Sequence, residues 1–334
     1  MALNKYDFYL QYLKIIVICP SKAQILANLK LGNGLSINQY NIEGKTIMQT
    51  SNNQSVATDK PVWFITGCST GFGNEMAKQL LAHDYKVVIT ARNIDDLKDF
   101  ASFDHALLLK LDDTNQAQID AAVKAAEDKF GHIDVLVNNA GIGYFAAVEE
   151  GTEAEIHNIF NINVFGVSRM IKAVLPNMRH LKKGFIVNLS SIAGLYSIPA
   201  LGYYNATKFA VEGLSEALWQ EVEPLGIKVM LVEPSGFRTD WAGRSADESK
   251  TEISDYAATA GKLRKLLRDI SGKQPGDPVR AVQAIIKAVE SAKPPHRLLL
   301  GNDAFETATA KLKTLDKEFL AWESVSRGAD FPKY

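Results

Sequence analysis

This sequence has few cysteines, almost no net charge and no long apolar run. The two cysteines, Cys19 and Cys68, form no C-x-x-C pair, and the six histidines include no pair at metal-ligand spacing, so no metal site is predicted. The formal net charge of −1 leaves no basic footprint for nucleic acid. The apolar run 15–19 is far shorter than the roughly 20 residues of a membrane span. These shortages favour a globular protein of the cytoplasm, where thiols stay reduced.

The sequence does contain enough apolar residues to fill a large core, but they are distributed unevenly. Hydrophobic residues make up 46% of the 334 residues, which is sufficient for one large α/β domain or two smaller ones. Positions 32–60 are rich in Asn, Gln, Ser and Thr, and we interpret 1–58 as an N-terminal extension that is disordered or loosely packed. One hypothesis is that Met48 is the native start and that 1–47 come from a misassigned reading frame. Peptides from 6–45 in the native protein would rule it out.

From residue 59 to residue 334, short apolar strands alternate with helical segments, with no linker between them. This alternation is typical of parallel strands with helices on both faces. The predicted fold is therefore α/β, a single doubly wound domain over 59–334 with a parallel sheet of seven strands. Residues 241–274 follow the end of a strand but do not continue the alternation of strands and helices, and we interpret them as a substrate lid. Pro176 is expected to end the helix over 152–174. The strands are predicted at 62–66, 86–90, 106–111, 134–137, 184–189, 228–232 and 296–300, and the later helices at 94–101, 116–130, 152–174, 204–225, 278–292 and 304–324.

The first strand runs into a helix through three glycines, Gly67, Gly71 and Gly73. Glycine tolerates positive φ and carries no Cβ, so backbone N–H groups can approach a ligand where the helix directs its positive end. A pyrophosphate fits that description. The spacing is G-x-x-x-G-x-G, which differs from the common dinucleotide fingerprint G-x-G-x-x-G. We interpret the turn as a dinucleotide site, with a glycine-rich turn that binds nothing as the alternative.

A tyrosine and a lysine four residues apart, Tyr204 and Lys208, lie on one face of a predicted helix. A cation beside a phenol lowers the phenol pKa toward the working pH, as an acid–base catalyst requires. An ordinary surface pair is the alternative for this spacing alone. The position favours catalysis, because Ser191 lies thirteen residues earlier, just after the predicted strand 184–189. Both groups are then expected at the carboxyl edge of the sheet, beside the glycine turn.

Together, these motifs resemble those of the short-chain dehydrogenase/reductase family. The segment 232–241 looks most like the branch that contains retinol and 17β-hydroxysteroid dehydrogenases. The resemblance implies a seven-stranded Rossmann fold, an NAD(P)-dependent alcohol dehydrogenase or carbonyl reductase, and a homodimer or homotetramer. The matching segments are Thr66-Gly67-x-x-x-Gly71-x-Gly73, Asn138-Asn139-Ala140-Gly141, Asn163, Ser191 with Tyr204-x-x-x-Lys208, and Pro234-Ser235-Gly236-Phe237-Arg238-Thr239, in the family's order.

The resemblance implies roles for four residues. Tyr204 is expected to exchange a proton with the substrate oxygen, and Ser191 to stabilise the charge on that oxygen. Lys208 is expected to bind the nicotinamide ribose and to lower the Tyr204 pKa. Asn163 is expected to anchor a relay water, with a helix-interior amide that meets a backbone carbonyl as the alternative. The implied cofactor-binding residues are Gly67, Ser69, Thr70, Gly71, Phe72, Gly73, Arg92, Asp112, Asn139, Ala140, Gly141, Tyr204, Lys208, Pro234, Gly236 and Thr239.

Arg92, directly after the second predicted strand, points to the identity of the cofactor. An NAD enzyme places an acid there for the ribose 2′-hydroxyl, whereas Arg92 offers a planar cation suited to a 2′-phosphate. NADP(H) is therefore the preferred cofactor, with NAD(H) as the alternative, since Asp95 and Asp96 follow closely. Asp112 matches the family's adenine-binding acid, with a helix N-cap as the alternative. Ser235 replaces the glycine usual in the family's nicotinamide loop, and would be strained if that backbone required positive φ.

The predicted function is hydride transfer between NADP(H) and a secondary alcohol or carbonyl compound. A hydrophobic substrate is favoured, because apolar residues follow the strand ends and are expected to line a pocket, or else to belong to the core. The alternatives are a sugar epimerase or dehydratase of the extended relatives, which share Y-x-x-x-K, and a nucleotide-binding redox sensor without turnover. The glycine spacing weighs against the first, and the intact set of four catalytic residues weighs against the second. The expected pocket residues are Tyr144, Phe145, Ile192, Tyr196, Ile198, Phe237 and Trp241.

Overall fold

The structure, a computed structural model, describes residues 60–331 in full. Before them it describes two antiparallel pairs of two-residue strands, Ile16–Val17 with Ile25–Leu26 and Leu29–Lys30 with Ser36–Ile37. The predicted loose extension over 1–58 and the proposed start at Met48 otherwise lie outside the described residues. Lys60–Tyr334 form one compact unit, which contains every predicted site residue.

A seven-stranded parallel sheet forms the centre of this unit, as predicted. Its middle strands are buried along their whole length, because helices cover both faces. The strands are β1 (Val62–Ile65), β2 (Lys86–Ala91), β3 (Ala106–Lys110), β4 (Val135–Asn138), β5 (Gly143–Phe145), β6 (Gly184–Leu189), β7 (Ile227–Pro234), β8 (Ala246–Glu248) and β9 (Arg297–Leu300). The order along the sheet is β9-β7-β6-β4-β1-β2-β3, while β5 and β8 pair with each other outside it. The order reverses between β1 and β4, and ligands of such sheets bind at the carboxyl ends of the strands beside that point.

The helices begin and end close to the predicted positions where a local signal marks them. One example is the second helix, which spans the predicted residues from its Asn115 cap to Gly131, a glycine with positive φ. Another is the helix that Asp277 caps, with proline at its first position. The helices are α1 (Gly71–Ala82), α2 (Gln116–Phe130), α3 (Glu153–Phe160), α4 (Val167–Leu181), α5 (Gly202–Val222), α6 (Lys262–Asp269), α7 (Pro278–Val289), α8 (Asn302–Ala321) and α9 (Glu323–Arg327), and the segment predicted at 94–101 is the 3₁₀ helix Ile94–Phe100.

The helix predicted over 152–174 is wrong in two respects. α3 ends at Phe160, and Asn161–Gly166 form a π-helical turn before α4. α4 then continues through Pro176 to Leu181. An internal proline costs about 3 kcal/mol, but the buried apolar side chains of α4 continue past it at helical spacing. Their packing against the sheet therefore outweighs the local signal.

Separate apolar clusters fill the two faces of the sheet. Trp63 and Ile65 of β1 pack with side chains of α1 and α7, while Phe64 packs with side chains of α2 and α4. This alternation follows from the two-residue period of a strand. Both layers hold the carboxyl ends of the strands at one edge, which fixes where the site lies. In the part of the chain that the structure describes, no helix is both long and apolar enough to cross a membrane.

Candidate active site

The glycines of the first turn each have a steric reason. Gly67 and Gly71 have φ of +69° and +60°, a conformation in which a side chain is strained. An added Cβ at Gly67 would also lie 2.8 Å from the Ala140 Cα, and one at Gly73 would lie 2.5 Å from the Asn139 Nδ2. Asn139 Nδ2 donates to the Gly67 carbonyl oxygen at 2.9 Å. The two predicted motifs therefore hold each other at the end of β1.

The first turn of α1 is open to an anionic ligand. Its N-cap, Thr70, forms no side-chain cap hydrogen bond in the described chain, and no acidic residue lies in the turn. Its leading N–H groups are available to an anion, and the helix dipole adds to the attraction. Ser69 is half-buried beside them. An added Cβ at Gly71 would lie 3.6 Å from the Thr239 Cβ, so the loop after β7 borders the same cradle. These residues fit the pyrophosphate of a dinucleotide.

The loop after β7 packs directly on the glycine turn. The rings of Phe72 and Phe237 meet edge to face, with centroids 5.3 Å apart. Pro234 is the last residue of β7, and Ser235 N donates to the Leu300 carbonyl oxygen at 3.0 Å. Ser235 is not among the described residues with positive φ. The strain considered for this serine therefore does not arise.

The predicted Tyr204 and Ser191 meet at the carboxyl edge of the sheet. Ser191 follows β6, and its Oγ donates to the Pro234 carbonyl oxygen at 3.4 Å. Tyr204 lies in the first turn of α5 and is 6% exposed, and the Ser191 side chain is close enough to lower its pKa. Burial raises the pKa of Tyr204 above its ordinary value, and the interaction with Ser191 opposes this only in part. The lowered pKa that the sequence predicts is therefore not found, and the phenol is held in its protonated form.

Lys208 lies one turn further along α5. Its Nζ donates to the Leu189 carbonyl oxygen at 2.7 Å and lies 5.7 Å from the centroid of the Tyr204 ring. Burial lowers the pKa of Lys208 to about 8, and the charge of Glu212 opposes that shift. The ammonium group is therefore close to the tyrosine ring but is bound to the backbone at the end of β6.

Asn163 joins the site from the π-helical turn. Its Oδ1 accepts from Ile142 N at 2.9 Å, and its Nδ2 donates to the Ile142 carbonyl oxygen at 2.9 Å and to Thr207 Oγ1 at 3.2 Å. The amide therefore meets a backbone carbonyl, as the alternative expects, and its role in anchoring a relay water stays a prediction. An added Cβ at Gly141 would lie 3.2 Å from Asn163 Oδ1 and 3.9 Å from Lys208 Nζ. Asn163, Gly141 and Lys208 therefore converge on one space.

Aromatic side chains cover the tyrosine. The ring of Trp241, from the segment 241–274, lies 4.8 Å from the Tyr204 ring and 5.8 Å from the Phe145 ring, measured between centroids. Of the expected pocket residues, Tyr144, Phe145, Ile198 and Trp241 pack in one cluster with Tyr204. Phe237 belongs instead to the core around α1, and Tyr196 is exposed. Tyr144 and Phe145 are buried in that cluster, as the core alternative expects, and the pocket wall stays a prediction.

A buried ion pair that sequence analysis missed anchors the segment 241–274. Glu150 Oε2 accepts from Arg264 Nη2 at 2.5 Å and from Ala147 N at 2.8 Å, and Glu150 Oε1 accepts from Ile253 N at 2.9 Å. The side chains of Arg264 and Glu150 are only 6% and 4% exposed. They lie 114 residues apart in the chain, so no local pattern could pair them.

Arg92 and Asp112 follow β2 and β3 at the same edge of the sheet. Arg92 is exposed. Burial raises the pKa of Asp112, but hydrogen bonds from Thr114 and the positive charge of Arg92 bring it below its usual value. Asn115, not Asp112, is the N-cap of α2. The N-cap alternative for Asp112 is therefore wrong.

Asp113 is a second carboxyl group at this end of the site. Burial and the charge of Asp112 raise the pKa of Asp113 to about 7, against a hydrogen bond with Thr66 and the charge of Arg92. The two consecutive aspartates, Asp112 and Asp113, are the sequence signal from which this second carboxyl group could have been predicted. Across the described residues, no group of three or more His, Cys, Asp or Glu side chains is arranged to hold a metal ion.

Comparison with known proteins decides the family. The family model for short chain dehydrogenases matches residues 61–250, more than half of the chain. The chain belongs to the short-chain dehydrogenase/reductase family. Membership makes it a dehydrogenase or reductase, and the seven-stranded sheet and glycine turn are where the resemblance placed them.

Curated members of the family include three similar proteins. Oxidoreductase BOA17 of Botryotinia fuckeliana is 37% identical over 268 residues, 79% of this chain and 97% of its own. A 3-ketodihydrosphingosine reductase of Bacteroides thetaiotaomicron is 40% identical over 71% of this chain and 86% of its own. Human retinol dehydrogenase 8 is 33% identical over 70% of this chain and 79% of its own. The relatives differ in the substrates that their names give.

Solved structures of short-chain dehydrogenases share the fold. One from Streptomyces avermitilis is 42% identical, with a TM-score of 0.76 over 81% of this chain and all of its own. ElxO with NADP bound is 27% identical, with a TM-score of 0.61 over 74% of this chain and 99% of its own. A Burkholderia phymatum enzyme in complex with NAD is 25% identical, with a TM-score of 0.65 over 83% and 98%. Similar structures thus carry either dinucleotide.

Proposed function

We propose that the chain is an oxidoreductase that prefers NADP(H) and interconverts a secondary alcohol and a carbonyl compound. The observation that carries the proposal is the meeting of Tyr204, Ser191 and Lys208 at the sheet edge, beside a glycine turn open to an anion. NADP(H), when bound, supplies or accepts the hydride. The protonated Tyr204 phenol is the group that would give its proton to the substrate oxygen in carbonyl reduction, and that would take it back in alcohol oxidation.

Each of the four proposed catalytic residues has its own role beside the cofactor. Tyr204 gives its proton to the substrate oxygen, and Ser191, whose side chain lies beside Tyr204, donates to that same oxygen and stabilises its charge. Lys208 presents its ammonium group to the ribose hydroxyls and favours the phenolate that forms. Asn163, fixed by two bonds to Ile142, anchors a water between Lys208 and solvent.

The residues that would hold the dinucleotide lie along the carboxyl edge of the sheet. Its pyrophosphate would lie on the first turn of α1. Exposed Arg92 would bind the 2′-phosphate of NADP(H), and Asp112, kept ionised by its neighbours, would bind the adenine amino group. The NADP in ElxO supports this preference. The full set is Gly67, Ser69, Thr70, Gly71, Phe72, Gly73, Arg92, Asp112, Asn139, Ala140, Gly141, Tyr204, Lys208, Pro234, Gly236 and Thr239.

The substrate we propose is hydrophobic. Tyr144, Phe145 and Trp241 surround Tyr204 with apolar surface, and the segment 241–274 would act as a lid over it. Retinol and 3-ketodihydrosphingosine, named for two relatives, are both largely apolar. The oligomer would be a homodimer or homotetramer, and the exposed Phe165 and Phe209 support an apolar contact between copies. A cytoplasmic location stays a prediction.

An NADPH-oxidation screen over aliphatic, aromatic and steroidal carbonyls tests the proposal. We expect turnover with at least one hydrophobic ketone or aldehyde, and faster turnover with NADPH than with NADH. The matched control is Lys208→Met, which removes the ammonium group and should abolish the signal. Tight NADPH binding without turnover on any carbonyl would contradict the proposal and favour the redox sensor.

A further inference from the structure

Three carboxylates and one arginine form a cluster next to the active-site lysine, and no step of the proposed function uses them. Glu212 and Glu216 come from α5, Glu233 from β7 and Arg297 from β9. Arg297 Nη1 binds both Glu212 and, at 2.8 Å, Glu233 Oε1, while Nη2 binds Glu216 Oε2 at 2.9 Å. Glu233 and Glu212 are buried, whereas the Glu216 side chain is 56% exposed. Arg297 therefore links a buried pair of acids to an exposed one.

Glu212 connects this cluster to Lys208. The two residues are four apart on α5, so they share a face of the helix. Lys208 Nζ binds the Leu189 carbonyl oxygen, and the next residue, Ser190, lies beside Glu212. An added Cβ at Gly194 would lie 2.7 Å from Ser190 Oγ and 3.1 Å from Glu212 Oε1. Burial favours the neutral amine of Lys208, and the charge of Glu212 is the influence that opposes it.

Burial and mutual repulsion favour a single proton shared by the two buried acids below about pH 7. Glu212 and Glu233 bind the same nitrogen of Arg297, so two negative charges would lie side by side in the interior. Burial and the charge of Glu212 raise the pKa of Glu233 to about 7, and burial raises that of Glu212 as well. With one shared proton, the positive charges of Lys208 and Arg297 are balanced by the negative charges of Glu216 and of one buried carboxylate. The neutral Ser190 completes the surroundings of Glu212.

We propose that Glu212 is a positioning residue for Lys208, because its carboxylate supplies the buried negative charge that keeps Lys208 an ammonium ion. The inference rests on the proposed role of Lys208 in binding NADP(H). Without that charge, burial would favour the neutral amine. A neutral amine would hold the ribose hydroxyls less firmly and would no longer stabilise a phenolate on Tyr204.

The test is the pH dependence of NADPH affinity, followed by nucleotide fluorescence from pH 6 to 10. Glu212→Gln keeps the shape of the side chain but removes its charge, so the midpoint at which affinity is lost should fall by about one pH unit. Glu216→Gln removes an exposed carboxylate from the same arginine and should leave the midpoint within about 0.3 unit. An unchanged midpoint in folded Glu212→Gln would overturn the inference, since the cluster would then only join α5 to β7 and β9.

A second measurement needs neither cofactor nor a stable Glu212 variant. In wild-type protein with ¹³C-labelled lysine, the Lys208 ε-carbon resonance, assigned by its loss in Lys208→Arg, should shift with two steps. One step is its own titration, and the other, near pH 7, is the loss of the shared proton from the acid pair. A single step would overturn the inference. If the resonance shows two steps but the protein oxidises NADPH with none of the carbonyl compounds in the screen, the inference is supported and the proposed function is contradicted.

Discussion

The glycine turn lies beside Thr239 and the segment 241–274 lies beside Tyr204, and different kinds of interaction hold the two regions in place. The turn is fixed by local geometry, with positive φ at Gly67 and Gly71. The segment is fixed by buried charge, since Arg264 reaches Glu150. Local geometry belongs to a short sequence motif, whereas an ion pair needs partners from distant parts of the chain. The turn should therefore be sensitive to a single methyl group, and the segment to the loss of a charge.

Breaking the ion pair is expected to have the largest effect on stability. Arg264→Met leaves the Glu150 carboxylate buried without its cation, which costs about 3–5 kcal/mol, and urea unfolding measures that loss. Arg244 and Asp240 form a matched exposed pair, with side chains 66% and 52% exposed. Arg244→Met should change the free energy of unfolding by less than about 1 kcal/mol. Equal losses in the two variants would show that burial does not decide the strength of these pairs.

Adding one methyl group to the turn should have the next largest effect. In Gly67→Ala the new Cβ meets the Ala140 Cα at 2.8 Å while φ stays at +69°, a strain of about 1–3 kcal/mol. We expect NADPH affinity, measured by fluorescence titration, to fall about tenfold or more. Gly213→Ala is the control, because nothing lies within 4 Å of its added Cβ and alanine favours a helix. Full NADPH affinity in Gly67→Ala would remove the turn from cofactor binding.

The charge at the adenosine end should have an effect of similar size, but one confined to the choice of cofactor. Arg92→Asp replaces a phosphate-binding cation with an acid, so the Michaelis constant for NADPH should rise about 10- to 100-fold, as loss of a charged hydrogen bond of about 1.5–3 kcal/mol implies. The constant for NADH should fall or stay the same. Lys98→Asp makes the same change in net charge at another exposed position and should alter neither. Unchanged constants in Arg92→Asp would refute its proposed role.

Acid sensitivity should show the smallest difference between the two regions. Burial raises the pKa of Glu150, but backbone N–H groups and Arg264 bring it below the ordinary 4.5. Its contribution to stability is therefore present above about pH 4.5 and is lost as pH falls through the lower folded value. Between about pH 7 and about pH 3, Gly67→Ala should lose as much stability as wild type, while Arg264→Met should lose less, because the guanidinium no longer lowers the pKa of its Glu150 carboxyl. Urea unfolding followed by circular dichroism at a series of pH values checks this, and an equal loss in Arg264→Met would contradict the assigned cause.

The sequence predicted the parts of the site whose signals are local. Apolar runs located all seven strands of the sheet, and the positions of Gly67, Ser191 and Tyr204 relative to those runs placed them at one edge. The Glu150–Arg264 pair could not be foreseen, because neither residue stands in a motif.

Two of the wrong expectations share one physical cause. α4 passes through Pro176 because the rest of its buried stripe packs on the sheet. The pKa of Tyr204 is raised rather than lowered because burial, to which Trp241 contributes, outweighs the opposing interaction with Ser191. Both outcomes depend on surroundings that only the folded chain assembles.

The most direct test of the account is NADPH oxidation by Tyr204→Phe with a carbonyl found in the screen. Tyr203→Phe is the matched control, since its hydroxyl donates to the Val148 carbonyl oxygen at 2.6 Å and has no proposed part in the chemistry. The account predicts that Tyr204→Phe loses at least about 100-fold in kcat, binds NADPH within about twofold of wild type, and that Tyr203→Phe keeps wild-type turnover. Wild-type turnover in Tyr204→Phe would contradict it.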